Sequence, residues 1–222
     1  MVGVLVAMVG AGGSILTVPI LVYLLGVSPV AATGYSLLII GVTSFVSTIG
    51  YMYRKLINYR IVVLFGIPSI IMVYVTRKFL VPMIPEKIFE QGQFLITKDS
   101  FLMLLLGVLI MISAISMISV KKNYKTDEAP RKVSSFQYSR MILIEGLIIG
   151  TLTGFVGTGG GFMIIPALVI LCQIPIKIAV GSALLIAAFK SGIGFLGEIG
   201  NNANIDYELI GTFTGLALIG II

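Results

Sequence analysis

The chain has 222 residues, of which 58% are hydrophobic and 11% charged, with 15 Lys and Arg against 9 Asp and Glu for a formal charge of +6. A soluble domain carries about a quarter charged residues, so this composition excludes a water-soluble fold and implies an all-α polytopic membrane protein. The chain has no histidine and no tryptophan, and Cys172, in the apolar run ALVILCQI, is its one cysteine; disulfide frameworks, CxxC pairs and His/Cys metal sites are therefore excluded, and no cofactor is expected.

Apolar segments fall at 1–26, 29–52, 59–80, 100–120, 141–172, 175–198 and 207–222, each near the ~20 residues a bilayer requires. The first continues straight into the multi-span body, unlike a cleavable signal peptide. Met1 and Ile222 both lie inside apolar runs, so we expect about seven transmembrane helices, or eight with one more at the C-terminus. The fifth segment is too long for one straight crossing and must tilt, extend or break. VPMIPEKIFEQGQFLITKD at 81–99 mixes prolines with both charge signs and reads as an extramembrane loop. KKNYKTDEAPRKVSSFQYSR at 121–140 is a basic linker dividing a first transmembrane repeat, 1–120, from a second, 141–222.

The positive charge lies in loops between spans, as membrane topology requires, and does not indicate nucleic acid. If every span crosses once, Arg54, Lys55, Arg60, Lys121, Lys122, Lys125, Arg131, Lys132 and Arg140 share a side with loop 199–206. Arg77, Lys78, Lys87, Lys98 and Lys177 fall on the other. The heavier side should be cytoplasmic, which places the N-terminus outside. Four crossings per half would make the halves parallel; a re-entrant Gly-rich segment would change that count.

The halves repeat one another. VGAGGSILTVPILVYL, from Val9, aligns with VGTGGGFMIIPALVIL, from Val156, at an offset of 147 residues. At that offset Gly10, Gly12, Gly13 and Pro19 fall on Gly157, Gly159, Gly160 and Pro166. TGYSLLIIGVTS (Thr33–Ser44) falls on VGSALLIAAFKS (Val180–Ser191), and INYR meets IDYE after a one-residue slip. Such a repeat in a membrane chain is the mark of a transporter built from two halves. Tyr59 and Tyr207 follow Asn58 and Asp206, N-cap and interfacial pairs that would start the third span of each half.

The Gly-rich segments open each half. A phosphate-binding loop needs a preceding strand and a βαβ unit in water, and these surroundings are lipid-grade apolar. Two readings remain together: close helix packing through small residues, and a discontinuous helix unwound at Gly157–Gly161. Unwinding would start a half-helix through Pro166, whose free N–H groups form a ready anion site. Lys190, in LLIAAFKSGIGF, lies well inside the sixth span, where a lysine costs several kcal/mol unless it is paired or wet. At 1.5 Å per residue from the turn near Gln173–Pro175, Gly159 lies about 21 Å deep and Lys190 about 22 Å, near mid-bilayer. Lys190 is therefore a candidate anion ligand, with a snorkelling or structurally paired lysine as the bland alternative. The candidate site comprises Gly10, Gly12, Gly13, Ser14, Thr43 and Ser44 of the first half with Gly157, Gly159, Gly160, Gly161, Lys190 and Ser191 of the second. Glu145 and Glu198 fall near the cytoplasmic interface, where Glu145 reads as a solvated or capping residue before a proton-coupling one. Thr151, Thr153 and Thr158 either line a pore or satisfy carbonyls of their own helix.

Paired VGxGGxxxxxP units, each followed by a G-S-L-L-like helix and then an NY or DY turn, resemble the sulfite exporter TauE/SafE family, also called the four-toluene-sulfonate uptake permease group. The resemblance covers nearly the whole chain outside the linker. It implies a multi-pass cell-membrane transporter of seven or eight helices for sulfur-containing anions such as sulfite or organosulfonates, and not an enzyme. The expected partners are a small anionic substrate and the lipid bilayer, with a coupling proton or ion and a second copy of the chain left open. The family often carries an uncharged polar residue, commonly asparagine, where this chain has Lys190, and the helix ahead of Gly10 is trimmed. The alternative reading is a membrane scaffold or assembly subunit whose glycines serve packing alone; Gly159→Ala separates them, costing a transporter its flux and a scaffold its stability.

Overall fold

The computed structural model describes residues 14–91, 94–123, 135–157, 160–170, 174–199 and 207–219. Among them the chain forms α1 (Ser14–Tyr23), α2 (Pro29–Tyr53), α3 (Tyr59–Val75), β1 (Lys87–Gln91), β2 (Phe94–Thr97), α4 (Lys98–Asn123), α5 (Ser135–Val156), α6 (Gly161–Ile170), α7 (Ile176–Ile199) and α8 (Tyr207–Ile219). Helix α3 runs on through a wider π-type turn, Thr76–Leu80, and a last turn, Val81–Met83. Among the described residues five segments are long and apolar enough to span a bilayer: Pro29–Tyr53, Tyr59–Met83, Lys98–Ile118, Ser139–Val156 and Ile176–Gly197. Large apolar side chains face outward along them, such as Val63, Ile67 and Ile71 at four-residue spacing on α3. An outer surface of this kind suits lipid.

At 81–99, where the sequence predicts a loop, the structure pairs β1 with β2 in an antiparallel hairpin that leads into α4, so the fold is helical with one small hairpin. Asn58 does cap α3, accepting a hydrogen bond from the Ile61 N–H at 3.4 Å. Helix bounds recur at the offset of the sequence repeat: α1 and α6 are related by 147 residues at both ends, the starts of α2 and α7 by 147, and the starts of α3 and α8 by 148.

Glycines set the closest helix crossings. A Cβ on Gly146 would stand 2.7 Å from the Phe65 carbonyl oxygen, one on Gly150 2.7 Å from the Ser69 carbonyl oxygen, and one on Gly154 2.8 Å from Thr76 Cβ. Small residues four apart let α5 lie directly on the α3 backbone. Gly150→Ala is therefore expected to lower stability by about 1–3 kcal/mol through overpacking against backbone that cannot yield, read as a lower unfolding temperature of the purified protein in detergent.

These contacts also give helix directions. Numbers rise together along α3 and α5 (65 with 146, 76 with 154), so the two are parallel. They rise together along α3 and α7 as well: the Asn58 N–H donates to Ser182 Oγ at 3.0 Å, and Gly197 packs on Arg77 Cβ. Along α2 and α7 they run oppositely, Leu37 meeting Gly194 and Tyr51 meeting Gly181. Helices α5 and α7 thus point the same way, and the chain must return between them. The return is α6, so the fifth apolar segment does not cross once but doubles back after Val156.

Two expectations are overturned by this reversal. Helix α7 ends at Ile199, opposite the Asn58 end, whereas the sequence reading puts the loop 199–206 on the side of 53–58; residues 200–206 themselves lie outside the described residues. Lys177, at the start of α7, joins the basic end with Arg54, Lys55, Arg60 and Arg140. Parallel halves are likewise excluded as a description of α2 and α7, which are equivalent in sequence and antiparallel in space.

Candidate functional site

The site is the reversal between α5 and α6. Gly157 (φ 67°) and Gly160 (φ 76°) both hold left-handed backbone, a conformation costing an L-residue roughly 1–2 kcal/mol. The Gly157 N–H donates to the Thr153 carbonyl at 2.9 Å, the last turn of α5. The Gly160 carbonyl then accepts from Met163 and Ile164 at 3.0 and 2.9 Å, opening α6. Backbone freed inside a membrane must be satisfied by protein or line a cavity. Here the Ser36 hydroxyl on α2 bridges the carbonyls of Thr33 and Gly157. The expected break at Gly157–Gly161 is present, and Pro166 sits inside the half-helix it begins.

Two fully buried cations bracket the break. Lys190 on α7 donates from Nζ to Thr153 Oγ1 at 2.8 Å, and a Cβ on Gly160 would lie 2.6 Å from that nitrogen. Among the described residues no carboxylate pairs with it. At the other end, Arg77 Nη1 donates to Thr33 Oγ1 at 3.0 Å, and its guanidinium together with the Thr33 carbonyl occupies the space a Gly157 side chain would need. The Gly161 and Phe162 N–H groups lie ahead of the first hydrogen-bonded turn of the ten-residue α6 and add the positive end of a helix dipole. The three features concentrate positive potential in a region of low dielectric, which suits a small anion.

The remaining sequence candidates are placed as follows. Gly161 is the first residue of α6, buried beside Gly160. Ser191 is buried, its hydroxyl has no partner among the described residues, and its Cβ lies 3.5 Å from where one on Gly41 would stand. Ser44 is buried on α2. Thr43 is half-buried and donates to the Ile39 carbonyl of its own helix at 2.9 Å, not across the bundle. Ser14 begins α1. Gly10, Gly12, Gly13, Gly159, Thr158, Cys172 and Asp206 lie outside the described residues.

Two charged residues are not where the sequence alone puts them. Arg77 is no loop charge: it is fully buried in the π-type turn of α3, whose extra residue per turn rotates it inward. The available signal is FLVPMI, which continues the apolar pattern beyond Arg77 and Lys78. Glu145 is not solvated either: it is buried on α5, with neither oxygen hydrogen-bonded among the described residues.

The family model "Sulfite exporter TauE/SafE" matches residues 1–222. A "Probable membrane transporter protein YunE" of Bacillus subtilis (strain 168) is 29% identical over 225 residues, covering 93% of this chain and 78% of the relative. A "Probable membrane transporter protein" of Xylella fastidiosa (strain Temecula1) is 27% identical over 186 residues, 83% of this chain, and the match spans 65% of that relative's length. A third, MJ0441 of Methanocaldococcus jannaschii, is 26% identical over 219 residues, covering 94% of this chain and 74% of the relative. No solved structure gives a significant match. With its helix reversal, buried cations and lipid-facing spans, the chain belongs to the sulfite exporter TauE/SafE family of multi-pass membrane proteins.

Proposed function

We propose that the chain works as a secondary transporter that exports small sulfur-containing anions of the sulfite or organosulfonate class by alternating access. One observation carries the reading: the reversal at Gly157–Gly160 brings a half-helix N-terminus and two fully buried cations, Arg77 and Lys190, to one place. Gly157, Gly159, Gly160, Gly161, Lys190 and Ser191 form the second-half side of the site, joined by Arg77 and Thr153. Gly10, Gly12, Gly13, Ser14, Thr43 and Ser44 form its first-half counterpart.

The halves act as an inverted pair. Sequence-equivalent helices α2 and α7 run antiparallel, and sites at the interface of inverted repeats are built from discontinuous helices. Rocking one half against the other would then expose the same site to each side in turn.

The test is flux of radiolabelled sulfite, and separately of an organosulfonate, in proteoliposomes of the purified protein. Absence of flux for both, with the protein monodisperse, would remove the substrate class. Arg77→Gln is expected to weaken anion transport roughly 10–100-fold, the loss of one charge-assisted hydrogen bond of about 1.5–3 kcal/mol, measured as the rise in half-saturating sulfite concentration.

A further inference from the structure

Among the residues whose burial is described, Glu145 is the one buried carboxylate, 9% exposed, and neither of its oxygens has a hydrogen-bond partner among the described residues. Its side chain lines a cavity of about 470 Å³ between α4, α5 and α6, walled by Ser113, Ser116, Ile148, Met163 and Pro166 among others, while both carboxylate oxygens are themselves enclosed. Among the described residues no other titratable group lines that cavity. Helices α4 and α6 present two serine hydroxyls and no charge. On the other face of α5, α3 packs through Phe65, Ser69, Met72 and Thr76. The buried cations meet α5 farther along, Lys190 at Thr153 and Arg77 at Gly157, about 12 and 18 Å from Glu145 along the helix axis. Among the described residues no cation offsets the carboxylate where it sits.

We infer that Glu145 is the residue that binds and releases the proton coupled to anion movement, an assignment that rests on the transporter reading above. An ionised carboxylate in a dry apolar cavity is costly, whereas a neutral acid is tolerated. The carboxylate can therefore stay enclosed only when the acid is neutral, and the cavity must admit water to it when the acid is ionised. Helix α6, buried along most of its length, is both the inner wall of this cavity and, at its first turn, one edge of the cationic break. The proton on Glu145 and the anion at Gly160 and Lys190 thus act on one short helix. The step is a bare proton transfer: hydronium gives its proton to a carboxylate oxygen, an O–H bond forms, and water leaves.

Two measurements test this. In an infrared pH titration of the purified protein in liposomes, wild type should show a carboxylic-acid carbonyl band that disappears as pH rises. E145Q should lack that component, and an unchanged titration in E145Q overturns the assignment. In sulfite transport, an imposed proton gradient should stimulate wild-type accumulation. E145Q should lose that stimulation yet keep sulfite–sulfite exchange in the absence of a gradient. Stimulation that survives in E145Q, or equal loss of exchange and gradient-driven uptake, overturns the assignment. If wild type carries no sulfite at all, the substrate class proposed above fails, and the infrared titration still decides the role of Glu145.

Discussion

Lys190→Met is expected to weaken anion transport roughly 10–100-fold while leaving the protein folded, with an unchanged or higher unfolding temperature. On the proposed reading the lysine serves the ligand and not the fold, so the two effects separate. Its ammonium is fully buried and has Thr153 Oγ1 as its hydrogen-bond partner, so it carries a desolvation cost of several kcal/mol that a methionine of similar length does not. Removing it should relieve that cost. It should also withdraw a charge-assisted contact worth about 1.5–3 kcal/mol to a bound anion, which by itself lowers affinity roughly 10–100-fold. Flux of labelled sulfite and thermal unfolding of the same preparation check both halves. Unchanged flux removes Lys190 from the site, and a lowered unfolding temperature with lost flux makes it a structural residue.

Gly157→Ala is expected to be the most damaging single methyl addition in the described bundle. Two costs add at this position. Left-handed backbone at φ 67° costs an L-residue roughly 1–2 kcal/mol, and the new methyl would overlap the Thr33 carbonyl oxygen and the Arg77 guanidinium. The carbonyl belongs to α2 and cannot swing away, so α2 and the reversal must separate. Overpacking of that kind adds about 1–3 kcal/mol. The Ser36 bond to the Gly157 carbonyl would be strained in the same movement. The expected result is a reduced yield of monodisperse protein and a lower unfolding temperature than for Gly150→Ala, where the backbone is ordinary helix. Comparing the two alanines by thermal unfolding measures the backbone strain and the tighter overlap at Gly157 together.

Much of this architecture is legible in the order of residues alone. Apolar length marks spans because a bilayer offers no water to an unpaired backbone group, so the starts near Pro29, Tyr59 and Ile176 follow from sequence, as does the N-cap at Asn58. The break at Gly157–Gly161 is legible for a related reason: glycines in an apolar run lower the cost of leaving the helix. Lys190 is legible as an anomaly, since a charge at that depth demands an explanation.

Direction is not legible. A segment of about 32 residues around Gly157 accommodates a kink or a reversal equally well, and hydropathy is blind to the difference. The contacts of Gly146, Gly150 and Gly154 with α3, and of Gly181 and Gly194 with α2, establish the reversal. It moves Lys177 to the basic end and makes α2 and α7 antiparallel. Arg77 escapes a reading of the sequence for a similar reason: one extra residue in a helical turn rotates a side chain from surface to interior, and no periodicity count detects it. Glu145 sits at a depth that suits either water or protein, and the walls from α4 and α6 decide which.

By itself, then, the sequence determined the solvent, the family, the place where the backbone breaks and the lysine beside it, because these depend on local composition and on spacing along one chain. Which way the chain leaves the break, which arginine joins the lysine and which carboxylate is shut away from water were decided only by tertiary packing. Those outcomes depend on which helix faces meet, a property of pairs of segments far apart in sequence.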